Sequence, residues 1–302
     1  MLRKAEQKKF CASPFLYYLC RVMNEGCYFV WSPDTELFSL FGMPLRYYSI
    51  MWGIGLALGY FVVMKLYKIQ NIPDKIFEPL WAYCFFGILL GSRLGHCLFY
   101  EPEYYLSHPL EMILPFKIGA GGSFTFTGYA GLASHGGTLG LMIVLCIYAY
   151  RNKINLWTVL DNIAIATPIV ACFIRIGNFM NSEIIGKPTN ADWGVVFSDV
   201  DMMPRHPAQL YEAFAYLIIF VLGLVIYRKK GTGIHRGFYF GFCLTAIFLF
   251  RFFVEFWKER QVDFESDMIL DMGQLLSIPF IIIGLFCMFY KKIDTIRIRN
   301  KD

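Results

Sequence analysis

Seven stretches of this 302-residue chain stay apolar for about the thickness of a bilayer, and nothing else in it constrains the fold as strongly. A spanning helix needs roughly 20 mainly apolar residues. In lipid every backbone N–H and C=O must be bonded within the protein, so such runs are committed to helix. They lie at residues 46–67, 77–99, 128–150, 156–175, 207–227, 235–257 and 268–290. The expected fold is an all-α polytopic membrane protein of about seven transmembrane helices. With 17% charged residues, against about 25% in soluble domains, the chain does not read as the two soluble domains its length would otherwise imply.

Orientation follows from the excess of Lys and Arg in short cytoplasmic loops. Fourteen lie at one set of ends: Lys65, Lys68, Lys75, Arg151, Lys153, Arg228, Lys229, Lys230, Arg236, Lys291, Lys292, Arg297, Arg299 and Lys301. Five lie at the other: Lys117, Lys187, Arg205, Lys258 and Arg260. The richer side is the expected cytoplasmic one, which puts the N-terminus outside and the C-terminus inside. Residues 1–45 read as an interfacial extension, because "FCASPFLYYLC" is broken by Pro14 and lacks a small-residue cleavage site. Residues 46–292 form one transmembrane domain, and 293–302 a basic cytoplasmic tail.

Several function classes fall away. The net charge of +5 is modest and the aromatics sit inside apolar runs, so no nucleic-acid partner is expected. The nine cysteines contain no CxxC pair and mostly lie in apolar segments, as small core residues do. No HExxH, P-loop or GxSxG pattern is present, so neither a metal nor a cofactor is expected.

The polar residues inside the runs carry the information. An ionisable group at the bilayer centre costs at least about 2.5–3.5 kcal/mol, so each needs a partner or a task. Arg93, His135, Arg175, His206, Glu212, Arg251, Glu255, Asp271 and Gln274 all fall near the predicted outer ends. At 1.5 Å per residue most lie within about 10 Å of that interface. Scattered snorkelling does not predict one-sided clustering; a shared outward-facing site does. Asp161, near an inner helix start, stands apart as an ion-pair or helix-start carboxylate.

Three arginines at one depth make an anion site, and the anions available there are phospholipid phosphates. Arg251 and Glu255 are spaced i, i+4, which predicts an ion pair that also orients the guanidinium. In "SHGGTLG" (134–140), His135 reads either as a general base or as a helix–helix hydrogen-bonding residue. Its glycines permit close approach of a ligand or another helix. "RIGNFMNSEIIGKPT" (175–189) sets Arg175, Asn178, Asn181 and Glu183 in an apolar frame, as a packed ligand-lining loop would.

At these residues the chain resembles the prolipoprotein diacylglyceryl transferases of bacteria, from about Arg46 to about Lys292. The likeness rests on "GSRLGHCLFY" (91–100), "SHGGTLG", "RIGNFMNSEIIGKPT", "RHPAQLYE" (205–212) and "RFFVEFWKE" (251–259). It departs from the family pattern at Ser134, Ile174 and Lys187. The resemblance implies transfer of the diacylglyceryl group of phosphatidylglycerol to the lipobox cysteine of a prolipoprotein signal peptide, in the bacterial inner membrane. It implies that Arg175 and Asn178 bind the lipid headgroup and that Arg251, held by Glu255, stabilises the leaving phosphate. His135 would accept the thiol proton or orient the headgroup. Glu183, His206 and Glu212 would brace the loop and reach the glycerol hydroxyls, with Tyr48 and Arg93 as further headgroup contacts. A transporter of anionic solutes is the rival outside enzymes, but no internal repeat is visible. An intramembrane aspartyl protease fails because Asp161 and Asp271 are expected at opposite depths.

Overall fold

The computed structural model describes residues 28–33, 36–40, 43–114, 116–118, 124–126, 133–259 and 270–290. Its long helices follow the apolar runs: α1 (Tyr47–Ile69), α2 (Asp74–Phe99), α5 (Ser134–Arg151), α6 (Leu156–Met180), α7 (Ala208–Lys230), α8 (Phe238–Val254) and α9 (Met272–Phe289). Two short helices, α3 (Pro102–Ser107) and α4 (Pro109–Ile113), each begin on a proline, whose fixed φ suits a first helical position. Six of these helices, all of the long ones except α5, are long and apolar enough to cross a membrane. The apolar part of α5, Gly136–Arg151, is shorter. The molecule is a mostly helical, multi-pass membrane protein.

The described residues divide into two compact units. One holds Val63–Asn162 with His235–Gly237; the other holds the residues up to Val62, Ile163–Ile234 and those from Phe238 onward. In the first, α2 packs on α5. Gly91 and Gly95 of α2 meet Gly136 and Gly140 of α5 so closely that a Cβ at Gly95 would lie 2.8 Å from the Gly136 Cα. Small residues allow such contact between membrane helices, where apolar burial supplies no drive. So the glycines of "SHGGTLG" serve a helix. The seam opens into an apolar groove of about 590 Å³ lined by Phe86, Leu90, Leu94, Leu139 and Ile143. Asp161 has a local task here, accepting the backbone N–H of Gly237 at 2.8 Å.

In the second unit α8 packs on both α7 and α9. Phe248 stacks on Phe280 at 4.4 Å, and Gly241 faces Gly284. The expected all-α character is modified by short strands. β1 (Phe29–Trp31) pairs parallel with β6 (Val195–Phe197), which pairs antiparallel with β7 (Pro204–Arg205). Trp31 donates its indole N–H to the Phe179 carbonyl at 3.0 Å, tying β1 to the end of α6. Two further hairpins, β2–β3 (Glu36–Leu40 with Met43–Arg46) and β4–β5 (Phe116–Ile118 with Phe124–Phe126), complete the strands.

Candidate active site

The site is assembled at helix ends of the second unit. Helix α6 continues past residue 175 to Met180, so Arg175 and Asn178 share a helical face, and Arg175 Nη1 donates to Asn178 Oδ1 at 3.3 Å. The irregular segment begins only after them.

Glu212, in the second turn of α7, is the hub and is fully buried. Arg175 Nε lies 3.0 Å from its Oε2. Its Oε1 receives the Tyr216 hydroxyl and the Lys258 Nζ, each at 3.1 Å. Lys258 is also buried and stands 3.4 Å from Glu255 Oε2. A buried charge is tolerable only when paired and hydrogen-bonded, and this one carboxylate answers two cations.

The segment after α6 is bent hard. Ser182 and Ile184 have φ of 53° and 55°, a left-handed conformation costly for a β-branched residue. Between them Glu183 is pinned from three directions. Asn178 donates to its Oε2 and Asn181 to its Oε1, each at 3.1 Å, while Gln209 donates to its carbonyl at 2.6 Å. The chain then bridges Gly186 to Lys258 and Pro188 to Arg205. Lys187 N–H reaches the Trp257 carbonyl at 2.7 Å. A Cβ at Gly186 would lie 2.6 Å from the His206 Cβ, so only glycine fits that crossing.

Arg205 locks the crossing. It donates to Asp201 at 2.5 Å, to Glu259 at 2.8 Å and to the Gly186 carbonyl at 3.2 Å. Its hydrogen bond holds the Asp201 carboxyl below the usual range, and Asp201 in turn raises Arg205. His206 sits with Nδ1 3.1 Å from the Tyr211 hydroxyl, to which Trp193 donates at 2.9 Å. Burial lowers the His206 pKa, favouring the neutral imidazole.

Arg251 departs from expectation. Helix α8 stops at Val254, and Glu255–Trp257 tighten into a 3₁₀ turn, so the i, i+4 geometry is lost. Glu255 pairs with Lys258 instead, and the expected Arg251–Glu255 pair is not formed. Among the described residues Arg251 makes no hydrogen bond or ion pair, although its Nε is buried. It lies within electrostatic reach of the Tyr216 hydroxyl, as Arg175 does.

Tyr48 joins this unit by packing on Gly177, where a Cβ would come within 2.9 Å of its ring. The structure therefore brings Tyr48, Arg175, Asn178, Glu183, His206, Glu212, Arg251 and Glu255 into one unit. Arg93 and His135 belong to the other. Arg93 is buried, donates to the carbonyls of Glu111 at 2.7 Å and Met112 at 3.3 Å, and sits 4.8 Å from the Tyr105 ring centre. His135 is the second residue of α5, and its side chain lies outside the described residues. Asp271 and Gln274 form the capping box of α9. Sequence reasoning passed over Lys258, counted only as a loop cation; its i, i+3 spacing from Glu255 was the available signal.

Comparison with known proteins gives one answer. A family model described as prolipoprotein diacylglyceryl transferase matches residues 35–290. A phosphatidylglycerol–prolipoprotein diacylglyceryl transferase of Bacteroides fragilis is 61% identical over 260 residues, 86% of this chain and 94% of the relative. Proteins of the same name from Tolumonas auensis and Porphyromonas gingivalis are each 40% identical, over 85% and 87% of this chain and 95% of their own length.

Proposed function

The chain belongs to the prolipoprotein diacylglyceryl transferase family, and on that premise we propose how its residues carry out the family's reaction. The protein is a transferase of lipoprotein biosynthesis. It moves the diacylglyceryl group of phosphatidylglycerol to the lipobox cysteine thiol of a prolipoprotein. Sulfur attacks the glyceryl carbon bearing the phosphate, the C–S bond forms as the C–O bond breaks, and glycerol phosphate leaves with the electron pair. The thiol proton goes to a base. The balance needs no cofactor or metal.

The observation that carries the assignment is the Arg251 guanidinium, which makes no hydrogen bond or ion pair among the described residues, beside a network in which Arg175, Lys258, Glu212 and Glu255 are joined by ion pairs. A preorganised cation aimed at developing negative charge costs no reorganisation when the phosphate leaves. Arg175 and Lys258 are met by Glu212 and Glu255, which leaves the positive charge of Arg251 as the complement of a phosphodiester. Arg175 and Asn178 hold the headgroup, and Tyr48 closes beside them. Glu183, His206 and Glu212 brace the bent segment and reach the glycerol hydroxyls. Glu255, one turn from Arg251, is held by Lys258. His135 takes the thiol proton or orients the headgroup. Arg93 contributes from its own unit by holding the segment that follows α2.

The Lys/Arg distribution supports seven spans, an N-terminus outside, a cytoplasmic C-terminus and a site at the outer face of the bacterial inner membrane. By the same reading residues 1–45 are an interfacial extension, 46–292 the catalytic domain and 293–302 a basic cytoplasmic tail, of which 1–27 and 293–302 lie outside the described residues.

The test is a mass-spectrometric transfer assay with purified protein, phosphatidylglycerol and a lipobox peptide. Native protein should yield the diacylglyceryl thioether, and Arg251→Ala should lower kcat/KM for the lipid by about 10²–10³, because the guanidinium meets the phosphate both on binding and as it leaves. A thioether formed equally well by Arg251→Ala removes that role. No thioether, with an active relative working in the same tube, favours an anion transporter.

A further inference from the structure

The spacing of Arg251 and Glu255 favours a mutual ion pair, and the structure does not form it. Two features keep them apart. The backbone tightens into a 3₁₀ turn at Glu255–Trp257. Lys258, buried and three residues on, draws the Glu255 carboxylate to itself at 3.4 Å. Arg251 Nε and Glu255 Oε2 are both buried and lack a hydrogen-bond partner among the described residues, so each has a reason to find the other.

Lys258 is itself fixed. Its Nζ also sits 3.1 Å from Glu212 Oε1, and its backbone bridges to Gly186. Gly273 supplies the remaining room: a Cβ there would lie 2.8 Å from Glu255 Oε2, so the glycine makes space for the carboxylate in its diverted position. We propose that Lys258 is a positioning residue which holds Glu255 away from Arg251 and so keeps that guanidinium free for the lipid phosphate. Without Lys258 the carboxylate would fold back one turn onto Arg251 and compete with the phosphate for it. Lys258 would then act on the reaction only through Glu255, without touching substrate.

This inference rests on the transferase reading, and the controls separate the two. If native protein makes no thioether, that reading fails. If it does, the variants address Lys258 alone. Transfer rates are compared for native protein, Lys258→Met, Lys258→Arg, Glu255→Gln and the double variant Lys258→Met/Glu255→Gln. The competing carboxylate predicts that Lys258→Met raises KM for phosphatidylglycerol by about tenfold or more, with a smaller change in kcat. Lys258→Arg, which keeps the charge, should restore KM to within about threefold of native. The double variant should bind lipid better than Lys258→Met, because the competitor has lost its charge. A role limited to folding would instead lower active protein at unchanged KM, and the two losses would add. The double variant also covers failure of Lys258→Met to fold, since its reference is Glu255→Gln. A KM within about threefold of that reference supports the inference, and a further tenfold loss overturns it. An unaltered KM in folded Lys258→Met also overturns it.

Discussion

Arg93 and Arg251 are alike as letters in a sequence, each a lone guanidinium near the end of an apolar helix. In the folded protein they are opposites. Arg93 is spent on the carbonyls of Glu111 and Met112 and on the Tyr105 ring, fastening the segment that follows its own helix. Arg251 is bonded to nothing among the described residues, while the carboxylate one turn along is held by a lysine. Burial inside a membrane helix therefore does not identify a functional arginine. The fate of its five donors does, because a guanidinium cannot shed its charge and must be answered by something.

The largest effect expected from breaking this contrast falls at neither arginine but at the carboxylate between cations. Glu212→Ala removes the ion-pair partner of Arg175 and leaves buried Lys258 with Glu255 alone. Removing one partner of a buried pair costs about 3–5 kcal/mol. Thermal unfolding in detergent should show a large drop in melting temperature, together with loss of transfer. A melting temperature close to native would mean that water reaches the network and that the pairs carry little energy.

The next effect separates the two arginines directly. Arg93→Ala leaves the Glu111 and Met112 carbonyls without a charged donor and should cost about 1.5–3 kcal/mol of stability. Arg251→Ala breaks no hydrogen bond among the described residues and should melt where the native protein does, while losing transfer. If Arg251→Ala were the less stable of the two, Arg251 would be a fastener as well, and its charge would not be held in reserve for the phosphate.

Much of this was legible in the letters, and the exceptions have physical causes. Apolar runs placed every long helix, since a membrane leaves the backbone no other option. Polar residues at one set of helix ends marked the cluster of Arg175, Glu212 and Arg251. Three readings failed on backbone geometry. Helix α6 outran residue 175 because nothing between Ile176 and Met180 breaks it, which moved Asn178 from a loop onto the face of Arg175. Helix α8 stopped at Val254, which cancelled an i, i+4 pair and created an i, i+3 pair with Lys258. The run expected to begin at 128 appears as α5 from Ser134, packed through its glycines on α2. Spacing arguments assume one helical period throughout, and they fail where the period changes. Parallel pairing of β1 with β6 joins residues far apart in sequence, which local pattern does not reveal.

The smallest effect tests a third arginine. Arg205 is bound by Asp201, Glu259 and a carbonyl, so its partners include groups that titrate. Its hydrogen bond depresses the Asp201 carboxyl, which therefore stays ionised in the folded protein at pH values where the unfolded chain takes up a proton. The stabilisation is fully present above about pH 4, the ordinary carboxylate value, and is lost as pH falls through the depressed one. Asp201 is partly exposed, so solvent screening limits the pair to about 0–1 kcal/mol. Melting temperatures of native protein and Asp201→Asn should therefore differ at pH 7 and converge toward pH 3. If Asp201→Asn kept a constant deficit across that range, Arg205 would be held by its carbonyl and by shape, with its charge idle.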